Sequence, residues 1–190
     1  MSDTPARDTL ATHEVTNQPA PRGDLDLWEG DPVLQTHAAA AGADADHLAE
    51  YGHRIGTVAM QEAGHAARRH APELVAFDAG GRRLDEVRFH PGYHQLLQAG
   101  LGAGYAALPW EGATGGHATH AAMVYLTTQV EPGVCCPMTM TYAAVPALRA
   151  DKTLLGAWVP KLTALAHDPA ARPLARKSAA TLGMAMTEKQ

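Results

Sequence analysis

Three small groupings of side chains in this sequence have the types and spacing to do chemistry. His90 and His94 stand four apart, a spacing that lets two imidazoles on one helix face share a divalent metal. His117 and His120 stand three apart, and Cys135 and Cys136 are neighbours, so that a thiol at a helix start could gain thiolate character. Each grouping has a plainer reading. Pro91 falls between the first two histidines, which puts His90 at a helix cap and His94 in the first turn rather than both on one ion. No His-Glu-x-x-His motif accompanies them, and no carboxylate sits at a third-ligand spacing. His117 and His120 take the same discount. Cys136, ahead of Pro137, reads better as a buried inert thiol than as a nucleophile. Asp85-Glu86 reads as a solvated turn, Gly80-Gly81 lacks the further glycines and the Lys of a phosphate loop, and no Ser lies in a Gly-x-Ser-x-Gly elbow. Local motifs therefore supply neither a catalytic set nor a metal ligand set.

The elements that must position these residues are helical. Ala accounts for 38 of the 190 residues, against 3 Trp, 5 Tyr and 2 Phe. Ala is the best helix former and a poor core filler, so closely packed helices are expected. The charge balance is −5, from 15 basic and 20 acidic residues, and the basic residues come only as short pairs such as Arg68-Arg69 and Arg82-Arg83. A duplex binder needs a cationic face, so nucleic-acid binding by this chain alone is not expected. No apolar run approaches the roughly 20 residues of a membrane span, and the first residues carry no apolar signal core. Two adjacent cysteines do not make a disulfide framework, and the chain is expected to be cytoplasmic.

Residues 1–24 are polar, with Pro5, Pro19 and Pro21, and read as an arm. Asp31-Pro32 predicts a first helix, ending at Gly42. A longer helix is expected over about 45–70, with Leu48, Tyr51, Ile55, Ala59 and Ala63 on one face. Gly52, Gly56 and Gly64 in it suggest close approach of a neighbouring helix. Residues 72–81 read as a connector ending in a turn, and Leu84–Phe89 as short and extended, or as a turn anchoring Phe89. Further helices are expected from Pro91 to about Tyr105, over 117–131 and over 137–149, with short helices around Pro160. Residues 168–177 read as a loop. The last segment, from Ala179, is strand-like. The fold class expected is mainly α, an antiparallel helical bundle.

Three stretches together carry a family resemblance. They are Phe77-Asp-Ala-Gly-Gly-Arg-Arg-Leu-Asp-Glu-Val-Arg-Phe-His-Pro-Gly-Tyr-His94, Cys136-Pro-Met-Thr-Met-Thr-Tyr-Ala-Ala-Val-Pro146 and Gly183-Met-Ala-Met-Thr-Glu-Lys-Gln190. They resemble the N-terminal region of the acyl-CoA dehydrogenase superfamily, in its AidB branch, associated with the adaptive response to DNA alkylation; Thr16-Asn17-Gln18-Pro19 fits that branch too. The resemblance implies an N-terminal helical domain over residues 25–177, followed by the start of a middle β-domain at 178–190. It also implies FAD, and a homo-oligomer, usually a tetramer, in intact relatives.

In that family the segment matching Met184, Ala185, Met186, Thr187, Glu188, Lys189 and Gln190 lines the flavin, with the hydroxyl and backbone of Thr187 as typical contacts. A strand end with free N–H groups suits the hydrogen-bonding edge of an isoalloxazine. The family motif continues with Gly-Gly-Ser-Asp, whereas this sequence stops at Gln190. The resemblance therefore implies the N-terminal portion of an FAD-dependent dehydrogenase, inactive alone. The catalytic Glu base, the acyl-CoA contacts and the basic DNA-binding surface would belong to the part that follows. The alternative is a stand-alone helical interaction or assembly module without catalysis. A metal enzyme using His90 and His94 ranks behind both.

Overall fold

A computed structural model describes residues 7–20 and 22–185. Seven α-helices and an exposed two-stranded hairpin follow in the order α1 (Pro32–Ala40), α2 (Ala45–Ile55), α3 (Val58–Arg69), β1 (Glu73–Phe77), β2 (Arg83–Arg88), α4 (Pro91–Gly102), α5 (Gly116–Thr128), α6 (Cys135–Leu148) and α7 (Lys152–Leu162). The mainly helical fold class expected from composition is the one observed. Helix starts follow local chemistry. Asp31 Oδ1 caps α1 by accepting from Leu34 N–H at 2.8 Å, and Asp44 Oδ1 caps α2 through His47 N–H at 3.0 Å. Asp151 Oδ1 caps α7 through the N–H groups of Thr153 and Leu154.

The single helix expected over 45–70 is two helices. The chain breaks at Gly56-Thr57, where Thr57 leaves helical geometry at ψ 151° and caps α3. Leu25 holds the break, donating its N–H to Gly56 O at 3.0 Å, while Asp24 Oδ1 accepts from Val58 N–H at 2.7 Å. The glycines do admit close neighbours, but not a packed helix: Gly52 faces the Trp28 backbone, Gly56 the carbonyl of Leu25, and Gly64 that of Val130. The tight helix crossing lies elsewhere, where Gly92 of α4 rests on the Ala63 carbonyl of α3.

The connector expected at 72–81 forms β1 and pairs antiparallel with β2, Leu74 opposite Val87. Gly81, at φ +78°, turns the hairpin. Asp85-Glu86 is therefore strand rather than turn, with Asp85 exposed and Glu86 half-buried. The helix from Pro91 stops at Gly102, so Tyr105 packs from the following turns. The short helices expected around Pro160 are one helix, α7, with Pro160 in its last turn, where one lost N–H bond is tolerable. The main core joins Leu48, Tyr51 and Ile55 of α2 to Leu96 and Leu97 of α4, Met123 and Leu126 of α5 and Met138 of α6. A smaller cluster joins Ala144 of α6, Leu162 of α7 and Ala180. Residues 178–185 carry no assigned helix or strand, and Met186–Gln190 lie outside the described residues. No described helix is long and apolar enough to cross a membrane.

Candidate functional site

The segment leading to the flavin-type motif is fixed by a polar knot and then by α6 and α7. Asp168, its side chain only 3% exposed, accepts from Arg172 at 3.0 Å and from Ser178 N–H at 2.9 Å. The Ser178 amide and the Arg172 guanidinium hold this carboxyl well below the usual carboxylate range. Beyond the knot every second backbone amide is engaged. Ala180 N–H donates to Lys161 O at 2.9 Å. Leu182 N–H donates to Thr141 Oγ1 at 3.1 Å, and Met184 N–H meets Met140 Sδ at 3.5 Å. Amides two apart on an extended chain face the same way. The even-numbered ones therefore face the helices. Those of Thr181, Gly183 and Ala185, all exposed, have no partner among the described residues.

Of the motif residues, Met184 and Ala185 are thus placed on an exposed edge beside α6, while Met186, Thr187, Glu188, Lys189 and Gln190 lie outside the described residues. The donor set fits a flavin in kind. A row of unpaired N–H groups with apolar Met184 beside it suits a ring system that is flat and apolar on its faces and hydrogen-bonding on one edge.

The histidines form no shared cluster. His90 caps α4, its Nδ1 accepting from Gly92 N–H at 3.1 Å, and its ring stacks on His70. His94 instead meets His167, Nδ1 to Nε2, at 2.9 Å, with ring centroids 5.2 Å apart and planes 22° apart. Those values place the rings edge to edge in nearly one plane, so one nitrogen donates in line to the other. Burial pushes His94 below its ordinary value, and burial with the neighbouring His94 and Lys177 pushes His167 down to about 4. His167 carried no sequence signal, since its partner is remote in the chain. Among the described residues no group of three or more His, Cys, Asp or Glu is placed to hold a metal.

His117 and His120 enter an aromatic cluster on the far side of α6. His117 pairs with Tyr142 OH at 2.8 Å, and His120 Nδ1 lies 2.7 Å from Tyr105 O, with its ring stacked 3.8 Å from that of Tyr142. Burial holds His120 below its usual range. Trp110 closes the cluster, donating Nε1–H to Tyr142 O at 3.0 Å. The cysteines reverse one expectation: Cys135 is buried and Cys136 is exposed. The helix begins at Cys135, two residues before Pro137, and that register turns Cys136 outward.

Comparison with known proteins follows the same order of elements. Residues 17–169 match the family described as the adaptive response protein AidB N-terminal domain. The chain is 40% identical over 187 residues to the putative acyl-CoA dehydrogenase AidB of Escherichia coli (strain K12), covering 94% of this chain and 34% of that protein. Among solved structures, the crystal structure of Caenorhabditis elegans ACDH-11 in complex with C11-CoA superposes with a TM-score of 0.68 at 25% identity, over 86% of this chain and 30% of that one. The Bd2924 apo-form superposes with a TM-score of 0.65 at 24% identity, over 80% and 32%. This chain thus spans about a third of the length of each relative. By the extent of its family match, the chain belongs to the AidB N-terminal domain family.

Proposed function

We propose that this chain is the N-terminal portion of an FAD-dependent, AidB-like acyl-CoA dehydrogenase, and that it supplies one wall of the flavin pocket. The observation that carries the reading is the alternation along residues 178–185. From Ala180 on, the amides of Ala180, Leu182 and Met184 are bonded to α7 and α6, and those of Thr181, Gly183 and Ala185 have no partner among the described residues. Met184–Gln190 are the proposed flavin-lining residues, with the hydroxyl and amide of Thr187 as the principal contacts. When bound, the flavin would accept the β-hydride of an acyl-CoA thioester as its α-proton is removed. This chain's residues bind and orient; none of them is assigned to proton removal. Contacts to acyl-CoA or DNA, and tetramer formation, are proposed only for the longer protein.

A flavin held along one extended segment buries too little surface to bind tightly. The purified chain is therefore expected to be colourless and inactive in an acyl-CoA dehydrogenation assay. A stoichiometric flavin absorbance band from the isolated chain would overturn this. In the longer protein, Thr187→Ala is expected to weaken FAD retention, with Thr187→Ser largely preserving it.

A further inference from the structure

The hairpin offers an interaction surface that the flavin wall does not use. β2 is its inner strand: Glu86, Val87 and Arg88 border a cavity of about 440 Å³ together with Tyr93 and Leu97 of α4 and Thr181. β1 is the outer strand. It pairs with β2 alone, and no other backbone hydrogen bond reaches it among the described residues, so the N–H and C=O groups on its far side are open. An exposed strand edge is a template for another strand unless charges, prolines or bulges blunt it.

The two edges differ in that protection. Four of the six β2 residues, Arg83, Asp85, Glu86 and Arg88, are charged. Asp85, at φ +51°, falls where the pairing skips from Val75–Glu86 to Phe77–Arg83, which places a bulge on β2. β1, Glu73-Leu-Val-Ala-Phe77, has one charge, at its end, and no positive φ. Charge then selects the partner, because like charges directly opposite destabilise a strand pair. β2 laid antiparallel on a copy of itself about its midpoint sets Arg83 against Arg88 and Asp85 against Glu86. β1 laid on itself about Val75 sets Val75 against Val75, Leu74 against Ala76 and Glu73 against Phe77, with no like charges opposed. Each copy thus has one open edge, and two such edges paired antiparallel meet across a twofold axis, which closes the assembly at two copies. We propose that β1 pairs antiparallel with β1 of a second copy about Val75, extending the hairpin to a four-stranded sheet. The pairing brings together apolar side chains that each copy alone leaves in water: Leu74 and Phe77 are both more than half exposed. A contact of five residues a side falls below the roughly 1,200 Å² of stable interfaces, so the dimer is weak.

The test is sedimentation velocity of the chain from about 0.01 to about 1 mM, with an expected dimer Kd on the order of 0.1 mM. Val75→Lys and Val75→Glu each place like charges on the axis and are expected to weaken the dimer by about tenfold or more. An equimolar mixture of the two variants is expected to associate at least about tenfold more tightly than either alone. Val87→Lys, on β2, is expected to leave the parent Kd unchanged. A monomer throughout the series overturns the pairing, as does a dimer indifferent to Val75→Lys or a mixture no tighter than its components. Loss of the dimer in Val87→Lys overturns it too, and assigns association to the face carrying Leu74 and Val87. If the Val75 variants lose the hairpin, hydrogen exchange of the unaltered chain decides: β1 amides should exchange more slowly as concentration passes the Kd, and exchange independent of concentration overturns the proposal. None of these outcomes bears on the flavin wall, which is tested by absorbance.

Discussion

The Thr141 hydroxyl does two jobs at once: it donates to Pro137 O at 2.7 Å and accepts the Leu182 N–H at 3.1 Å, 41 residues further along the chain. The first bond fixes the rotamer, which leaves the oxygen's lone pair aimed at the terminal segment. Thr141 is fully buried, so nothing else can take its place. Thr141→Val keeps the volume and strands the Leu182 amide, at a cost of about 1–2 kcal/mol. The expected outcome is faster hydrogen exchange and earlier proteolysis confined to residues 178–190, with Thr141→Ser close to the parent. Unchanged exchange at Leu182 in the Val variant would show that the segment is held by packing alone.

The His94–His167 pair predicts a pH dependence with a definite sign. His167 falls from an ordinary 6.5 to about 4 in the folded chain, chiefly through burial, then through His94 and Lys177, with Asp168 opposing. A folded value below the unfolded one means the unfolded chain binds the proton more readily. The stabilisation is thus fully present above pH 6.5 and is lost as pH falls through about 4. The lowered Asp168 carboxyl acts in the same sense but only at more acidic pH, below the ordinary carboxylate value. Thermal melts should therefore show Tm declining from neutrality toward pH 4, and His167→Gln should flatten that decline. An equally steep profile in the variant would remove the pair from the explanation.

Gly115 sits at φ +65°, and a side-chain carbon there would collide with the Gly42 carbonyl. Gly115→Ala combines a left-handed backbone penalty of about 1–2 kcal/mol with that collision. A marked fall in Tm is expected. Gly112→Ala provides the comparison, since its φ is +78° with open space around it, and it should cost only the backbone part.

Thiol titration separates the two cysteines. Cys136 is exposed, whereas Cys135 is buried with its Sγ 3.5 Å from Thr128 Oγ1. An aromatic disulfide reagent should titrate one thiol rapidly in the native chain and both after denaturation. Cys136→Ser should abolish the rapid phase. Two rapid thiols in the native protein would contradict the register of α6.

Much of this architecture was legible because the signals are local. Asp31, Asp44 and Asp151 announce helix starts through side chains that reach only the next turn. The hairpin was half visible: Leu84–Phe89 looked extended, but Pro72 and Gly80 made its partner read as a connector. The break at Gly56-Thr57 had a signal, a Thr able to cap, that the unbroken apolar periodicity on either side outweighed. Tertiary partners left no trace. Pro91 already argued against a shared ion for His90 and His94, but nothing in the sequence named the partner His94 does meet, 73 residues away. For the candidate site, the motif residues came from family resemblance, whereas their support by Thr141 and Met140 required coordinates.

Thr141 and Tyr142 are consecutive on α6, so their side chains leave the helix about 100° apart. One clasps the terminal segment through Leu182; the other is clamped by His117, His120 and Trp110. The helix therefore works as an axle keyed on two sides. It cannot rotate to follow a change at the terminal segment without unseating Tyr142, and a disturbance at Trp110 has a direct lever on the strip that begins at Ser178.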